Sequence, residues 1–196
     1  MTVLRAFIAI DLPDELKETL QQVSHTFQQH LSGLPVRWVP SINMHLSLKF
    51  LGDVSETNVE TINEIIRTAA NSYHAFEISI GGVGVFPNMH RPRVIWVGVE
   101  APEEMISLQR RIETETTRMG YPSEDREYAP HLTLGRVSRN ANAAEIKAVS
   151  KKLLNEKLGF LGAARVNQIH LFRSQLQPGG PKYTKLFSAA LQPVSG

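Results

Sequence analysis

The chain has no cysteine in its 196 residues. That excludes a disulfide framework, a thiolate nucleophile, a Cys-ligated zinc and a Cys-x-x-Cys redox pair. It also fits a cytoplasmic protein. Long apolar runs are missing too, none approaching the ~20 residues that span a bilayer. The stretch from Met1 to Pro13 carries one Arg and then Ala6-Phe7-Ile8-Ala9-Ile10, broken by Asp11 and Pro13. A secretory hydrophobic region is longer and ends in a small-residue cleavage site, so an opening core strand is expected and no membrane partner. A large excess of one charge is absent as well: Lys plus Arg total 21 against 19 Asp plus Glu, a formal charge of +2. Proteins that coat nucleic acid carry a larger excess or a dense basic stripe. The longest basic clusters here are pairs, Arg110-Arg111 and Lys151-Lys152.

What remains is 42% hydrophobic residues, enough for one large domain or two small lobes with a true core, and 7 histidines. Imidazole is the side chain whose ordinary pKa lies near neutrality.

Periodicity predicts a strand over Val3–Ile10 and an amphipathic helix over Asp14–Leu31, stopped by Gly33 and Pro35. A short strand at Arg37-Trp38-Val39 and an apolar one over Met44–Leu51 follow. Ser55 is placed to cap a helix over Glu56–Ser72. Phe76–Ile80 alternates as a strand, and the glycines at 81, 82 and 84 suggest a bulge or a close backbone approach. Val94–Val99 reads as a strand, Pro102–Met119 as a helix ended by Gly120, and His131–Val137 as a strand. Asn142 and Glu145 form a capping box for a helix over Ala143–Lys157. The end reads as a hairpin, Gln168–Gln175 and Tyr183–Leu191, around Pro178-Gly179-Gly180-Pro181. Hairpin signals and alternating strands argue against a purely parallel sheet and for an α+β fold with two mostly antiparallel sheets. No linker divides the chain, so residues 1–196 read as a single domain whose two lobes pack closely.

One pattern occurs twice. His45-Leu46-Ser47-Leu48 is matched by His131-Leu132-Thr133-Leu134, each followed by a basic and an apolar residue, Lys49-Phe50 and Arg136-Val137. In a strand, alternation buries the leucines and sets His45 beside Ser47, and His131 beside Thr133, on the opposite face. Two similar lobes would bring the pairs face to face across a cleft. Opposed imidazoles suit a phosphodiester: one takes a proton from water, the other gives one to the leaving oxygen, and the hydroxyls donate to the phosphate. Neither motif has a second His, Asp or Glu at ligand spacing, so no metal is expected.

These residues resemble the 2H phosphoesterase superfamily, and more closely its RNA 2′,3′-cyclic phosphodiesterases, historically called 2′-5′ RNA ligases. The resemblance rests on Trp38 through Gly52, Arg5-Ala6-Phe7-Ile8-Ala9-Ile10, Phe86-Pro87, Pro92-Arg93-Val94 before Trp96, and Pro130 through Arg136. It implies a bilobal α+β fold, with outer helices around a central groove to which each lobe gives one motif. It also implies that His45 is the acid for the leaving O3′, that His131 is the base for water, and that Ser47, Thr133 and Arg136 hold the phosphate. Ser47 stands where the family more commonly has Thr. No cofactor is implied, and the partner is RNA with a 2′,3′-cyclic phosphate end or a cyclic nucleotide. A monomer is expected. Strict alternation would place Arg136 on the leucine side, so it reaches the groove only if the strand twists or ends near Gly135. Trp38, Phe86 and Tyr183 are candidates for stacking on a base, although core or rim positions explain them equally. Arg93 is read as facing either nucleic acid or a surface ion pair, and His170 as a strand-face histidine. Two alternatives stay open: a 2H enzyme acting on a small cyclic nucleotide or a 2′-5′ oligonucleotide, and a non-catalytic module that binds RNA ends.

Overall fold

A computed structural model describes residues 2–178 and 180–194. In chain order the elements are β1 (Val3–Asp11), α1 (Asp14–His30), β2 (Val36–Trp38), β3 (His45–Ser55), α2 (Val59–Ala70), β4 (Phe76–Phe86) and β5 (Val94–Glu100). They continue with α3 (Glu103–Arg118), β6 (His131–Val137), α4 (Ala143–Leu153), β7 (Phe160–Val166), β8 (Gln168–Gln177) and β9 (Gly180–Ala190). The strands form two sheets, ordered β3-β1-β8-β9 and β2-β6-β5-β4-β7, with antiparallel pairing throughout. The α+β class with two antiparallel sheets is as the sequence predicts. Among the described residues no helix is long and apolar enough to cross a membrane.

Each helix buries one stripe. Leu16, Leu20 and Phe27 do so on α1, Ile62, Ile66 and Ala69 on α2, and Met105, Leu108 and Ile112 on α3, the spacing that keeps side chains on one face. The helices interlock the sheets. α1 leaves the first sheet and packs on β7 of the second, while α3 leaves the second and packs on α2 and on β3 of the first. One continuous buried cluster therefore joins Ile8 and Leu46 of the first sheet to Ile80, Ile95 and Leu132 of the second. Each such side chain contributes about 1.5–3 kcal/mol on burial.

Several boundaries differ from the expectation, each for a physical reason. β3 runs on to Ser55, whose hydroxyl lies 2.8 Å from Thr57 Oγ1, so it caps nothing; a 3₁₀ turn, Glu56–Asn58, precedes α2. The Asn142–Glu145 capping box forms, but α4 ends at Leu153, four residues early. β7 has no clear alternating signal, because Phe-Leu-Gly-Ala-Ala-Arg-Val buries only Ala164 and Val166. The β8–β9 connection includes Gly179, which lies outside the described residues. Both readings of the glycine cluster hold. Gly82, at φ +71°, sits in a bulge of β4, and a Cβ on Gly84 would come within 2.2 Å of the Trp96 ring.

Candidate active site

The two motif strands are built alike, residue for residue. β3 from His45 and β6 from His131 share the same succession of half-buried and buried positions over seven residues. Each is interrupted by a bulge at its second leucine. On β3, Ser47 pairs with Ala9 and Lys49 with Ile8, leaving Leu48 over; on β6, Thr133 pairs with Trp96 and Gly135 with Ile95, leaving Leu134 over. An extra residue reverses the alternation beyond it. Position six of each motif, Phe50 and Arg136, is thereby turned onto the histidine face, and both are exposed. This is how Arg136 reaches the groove side despite its spacing.

The same bulge corrects the equivalence drawn between Lys49 and Arg136. The structural counterpart of Lys49 is Gly135, and both point inward. The Lys49 side chain is 0% exposed; its ammonium donates to Glu113 Oε1 at 2.6 Å and to the carbonyl of Pro122. It ties the first motif to α3 and to the 122–130 segment that leads into the second.

Two further side chains complete this strap. β3 is the outer strand of its sheet, so the carbonyls along its free edge have no ladder partner. Tyr128 Oη donates to the Ser47 carbonyl at 2.9 Å, and Gln109 Nε2 donates to the Leu48 carbonyl at 3.3 Å. Burial pushes the Tyr128 phenol well above its usual range, so it remains a donor. None of these three roles was legible in the sequence. The only signal was that Tyr128 stands three residues before His131.

Both imidazoles are anchored the same way. His45 Nδ1 lies 2.8 Å from the Asn43 carbonyl and His131 Nδ1 lies 2.8 Å from the Ala129 carbonyl, in each case two residues upstream. A carbonyl only accepts, so both Nδ1 atoms carry hydrogen and Nε2 is left for the groove. Aromatic rings hold the planes. Phe7 stacks on His45 at 4.5 Å and Tyr183 meets it edge-on at 5.1 Å; Phe86 meets His131 edge-on at 4.9 Å. Phe7, Ala9 and Phe172 form a small apolar cluster of their own beneath His45, with Tyr183 against it. Phe86 and Tyr183 are thus supports for the histidines, while Trp38 packs against the core beside Gly135. The Arg93 guanidinium donates to the Ser138 carbonyl at 2.8 Å, and among the described residues it makes no ion pair with a carboxylate.

Burial governs the protonation of the pair. It pushes His45 down to about 4, against a smaller opposing pull from the Asn43 carbonyl and Asp11. His131 is lowered too, mainly by burial and further by the nearby Arg136 charge. An imidazolium held this low gives up its proton readily. His170, 4% exposed, is also lowered by burial to about 4 and donates to or accepts from Ser188 Oγ at 2.8 Å behind the groove.

A cavity of about 550 Å³ opens between the two motifs, walled by Ser47, Phe50, Phe86, Gln109, Tyr128 and His131 among others. His45, Thr133 and Arg136 share the two motif faces without forming part of its wall. Among the described residues no three of His, Asp and Glu are grouped to hold a metal ion. The arrangement sets His131 and the Ser47 hydroxyl at a mostly apolar recess, with His45 on the same face of β3 as Ser47.

The comparisons with known proteins converge on this geometry. A sequence profile described as the 2′-5′ RNA ligase superfamily matches residues 12–178. An RNA 2′,3′-cyclic phosphodiesterase of Methanothermobacter thermautotrophicus is 39% identical over 183 residues, covering 93% of this chain and 96% of that protein. The crystal structure of TT0787 of Thermus thermophilus superposes with a TM-score of 0.80 at 25% identity, covering 98% of this chain and 100% of that one. Escherichia coli LigT complexed with 3′-AMP superposes with a TM-score of 0.78 at 27% identity, covering 97% and 99%. With the profile spanning residues 12–178 and a relative at 39% identity covering 93% of the chain, the chain belongs to the 2′-5′ RNA ligase superfamily.

Proposed function

We propose that the protein hydrolyses RNA 2′,3′-cyclic phosphate ends to 2′-phosphomonoester ends by acid–base catalysis between His45 and His131. The observation that carries this reading is the duplicated motif strand: same bulge, same burial, same carbonyl behind each imidazole. His131 Nε2 takes a proton from water, whose oxygen bonds to phosphorus. The P–O3′ bond breaks, and His45 Nε2 gives its proton to O3′. Ser47 and Thr133 donate to the non-bridging oxygens, where charge gathers in the transition state, and Arg136 neutralises it. The ring supplies its own leaving group, so the step calls for no metal or cofactor. The terminal nucleoside has room in the 550 Å³ recess between Phe50, Phe86 and Tyr128. Attack by a 5′-hydroxyl in place of water would form a 2′-5′ linkage on the same two histidines. In ~55 M water, hydrolysis prevails unless two RNA ends are held together.

Each proton transfer is worth about 10²–10⁴-fold in rate. His45→Ala and His131→Ala should each lose that factor on an oligonucleotide ending in a 2′,3′-cyclic phosphate, with unchanged circular dichroism. Near-normal turnover by either variant sinks the mechanism. Tight binding of such ends by the wild type, without product, would favour a binding module instead.

A further inference from the structure

On the far side of Arg136 from the bulge, the neighbouring strand carries a second arginine that the catalytic reading leaves without a task. β2 is the strand outside β6, and its Arg37 stands directly opposite Arg136 in the antiparallel register. Both are exposed on the face away from the core, where their neighbours Val36, Trp38 and Val137 pack. Like charges directly opposite one another on paired strands are destabilising. Nothing relieves this pair: among the described residues neither guanidinium lies within 4.0 Å of a carboxylate, nor does that of Arg5. The Arg37 side chain also comes close to the first sheet, since its Nη2 lies 3.3 Å from where a Cβ on Gly180, at the start of β9, would stand. Arg5 stands on β1 of the other sheet, two residues before Phe7 and opposite Asp53. The positive charges of Arg136, Arg5 and Arg37 all act on Tyr183, whose ring edge supports His45.

We propose that Arg37, with Arg5 across the groove, binds the internal phosphodiester one nucleotide upstream of the cyclic phosphate, so that the site reads an RNA strand end in preference to a free cyclic nucleotide. The inference rests on the function proposed above. One phosphate between the histidines is served by Arg136. Arg37 sits one strand further out, about 5 Å away, where a guanidinium meets the next anion along the strand. Binding of that anion offsets the repulsion that folding leaves in place. Base identity does not enter, because a phosphodiester contact carries no sequence information. It also explains how a chain of formal charge +2 can select RNA: the positive charge is placed at one end of the groove rather than spread over the surface.

Three substrates test this on the intact protein: a dinucleotide ending in a 2′,3′-cyclic phosphate, the same dinucleotide with a neutral methylphosphonate internal linkage, and the nucleoside 2′,3′-cyclic phosphate. For the wild type, kcat/KM should be about tenfold or more higher on the charged dinucleotide than on the neutral one. In Arg37→Gln that ratio should shrink to within about twofold, and raising salt should erode it in the wild type only. An equal ratio in both proteins, or no preference in the wild type, overturns the Arg37 site while leaving hydrolysis standing. Failure of the wild type to turn over any of the three overturns the functional reading and this inference with it. Arg37→Lys, which keeps the charge, should recover most of the ratio.

Discussion

Replacing Lys49 with methionine removes a charge that is wholly buried between the two motifs, and the structure sets the size of the response. The ammonium is fully enclosed, and its two partners, the Glu113 carboxylate at 2.6 Å and the Pro122 carbonyl, each lose a charged donor. Removing one partner of a buried pair costs about 3–5 kcal/mol. Glu113 also accepts from the Glu124 backbone amide at 3.0 Å and is 19% exposed, so water can reach part of it and the lower end of that range is expected. For a protein of this size, each kcal/mol moves the melting temperature by about 2–4 °C, giving a fall of roughly 6–12 °C. The double variant Lys49→Met/Glu113→Leu removes both charges and should regain most of the loss, because a well-packed apolar pair is often no worse than a buried ion pair. Urea denaturation of the wild type, the two single variants and the double variant measures all four corners of the cycle. A single variant within 1 kcal/mol of wild type, with unchanged activity, would refute the part given to Lys49 in the strap.

Other expectations follow from the same geometry. Tyr128→Phe keeps the ring but leaves the Ser47 carbonyl unpaired, costing about 1–3 kcal/mol and lowering kcat more than it raises KM in steady-state assays; an effect on stability alone would separate the strap from catalysis. Gly84→Ala forces a methyl into the Trp96 ring and should cost about 1–3 kcal/mol by overpacking, with turnover falling alongside because Trp96 stands behind His131; thermal melts and rates read both. The pH profile of kcat/KM should be bell-shaped with its optimum below 6.5, since burial lowers both imidazoles and one must be charged while the other is neutral. An optimum above pH 8 contradicts that placement. His45, neutral when folded at about 4 and near 6.5 when unfolded, contributes stability that is present above 6.5 and lost as pH falls through 4. The loss is about 3 kcal/mol for this group, measurable by urea titration at several pH values.

The histidine–hydroxyl faces were legible because period-two alternation follows directly from the chain: leucine, polar, leucine can bury only one way. The bulges were not, because Leu48 and Leu134 look like any core leucine and a one-residue slip leaves no mark on composition. That slip decides what lies in the groove, turning Arg136 and Phe50 outward and Lys49 inward. The strap was hidden for a related reason. Tyr128 and Gln109 are needed only because β3 is an outer strand, and strand order is a long-range property. The aromatic supports fall between these cases. Phe7 shares the histidine face through simple alternation on β1, but its stacking on His45 depends on which strand pairs with which. β7 escaped notice because its small residues carry little pattern of either period.

The central claim is an in-line hydrolysis that opens the ring at O3′. Its most direct test is the product made from an oligonucleotide 2′,3′-cyclic phosphate in ¹⁸O-labelled water with chelator present. The account predicts a 2′-phosphomonoester carrying one solvent oxygen per turnover. A 3′-phosphomonoester, or activity abolished by the chelator and restored by a divalent metal, would contradict it.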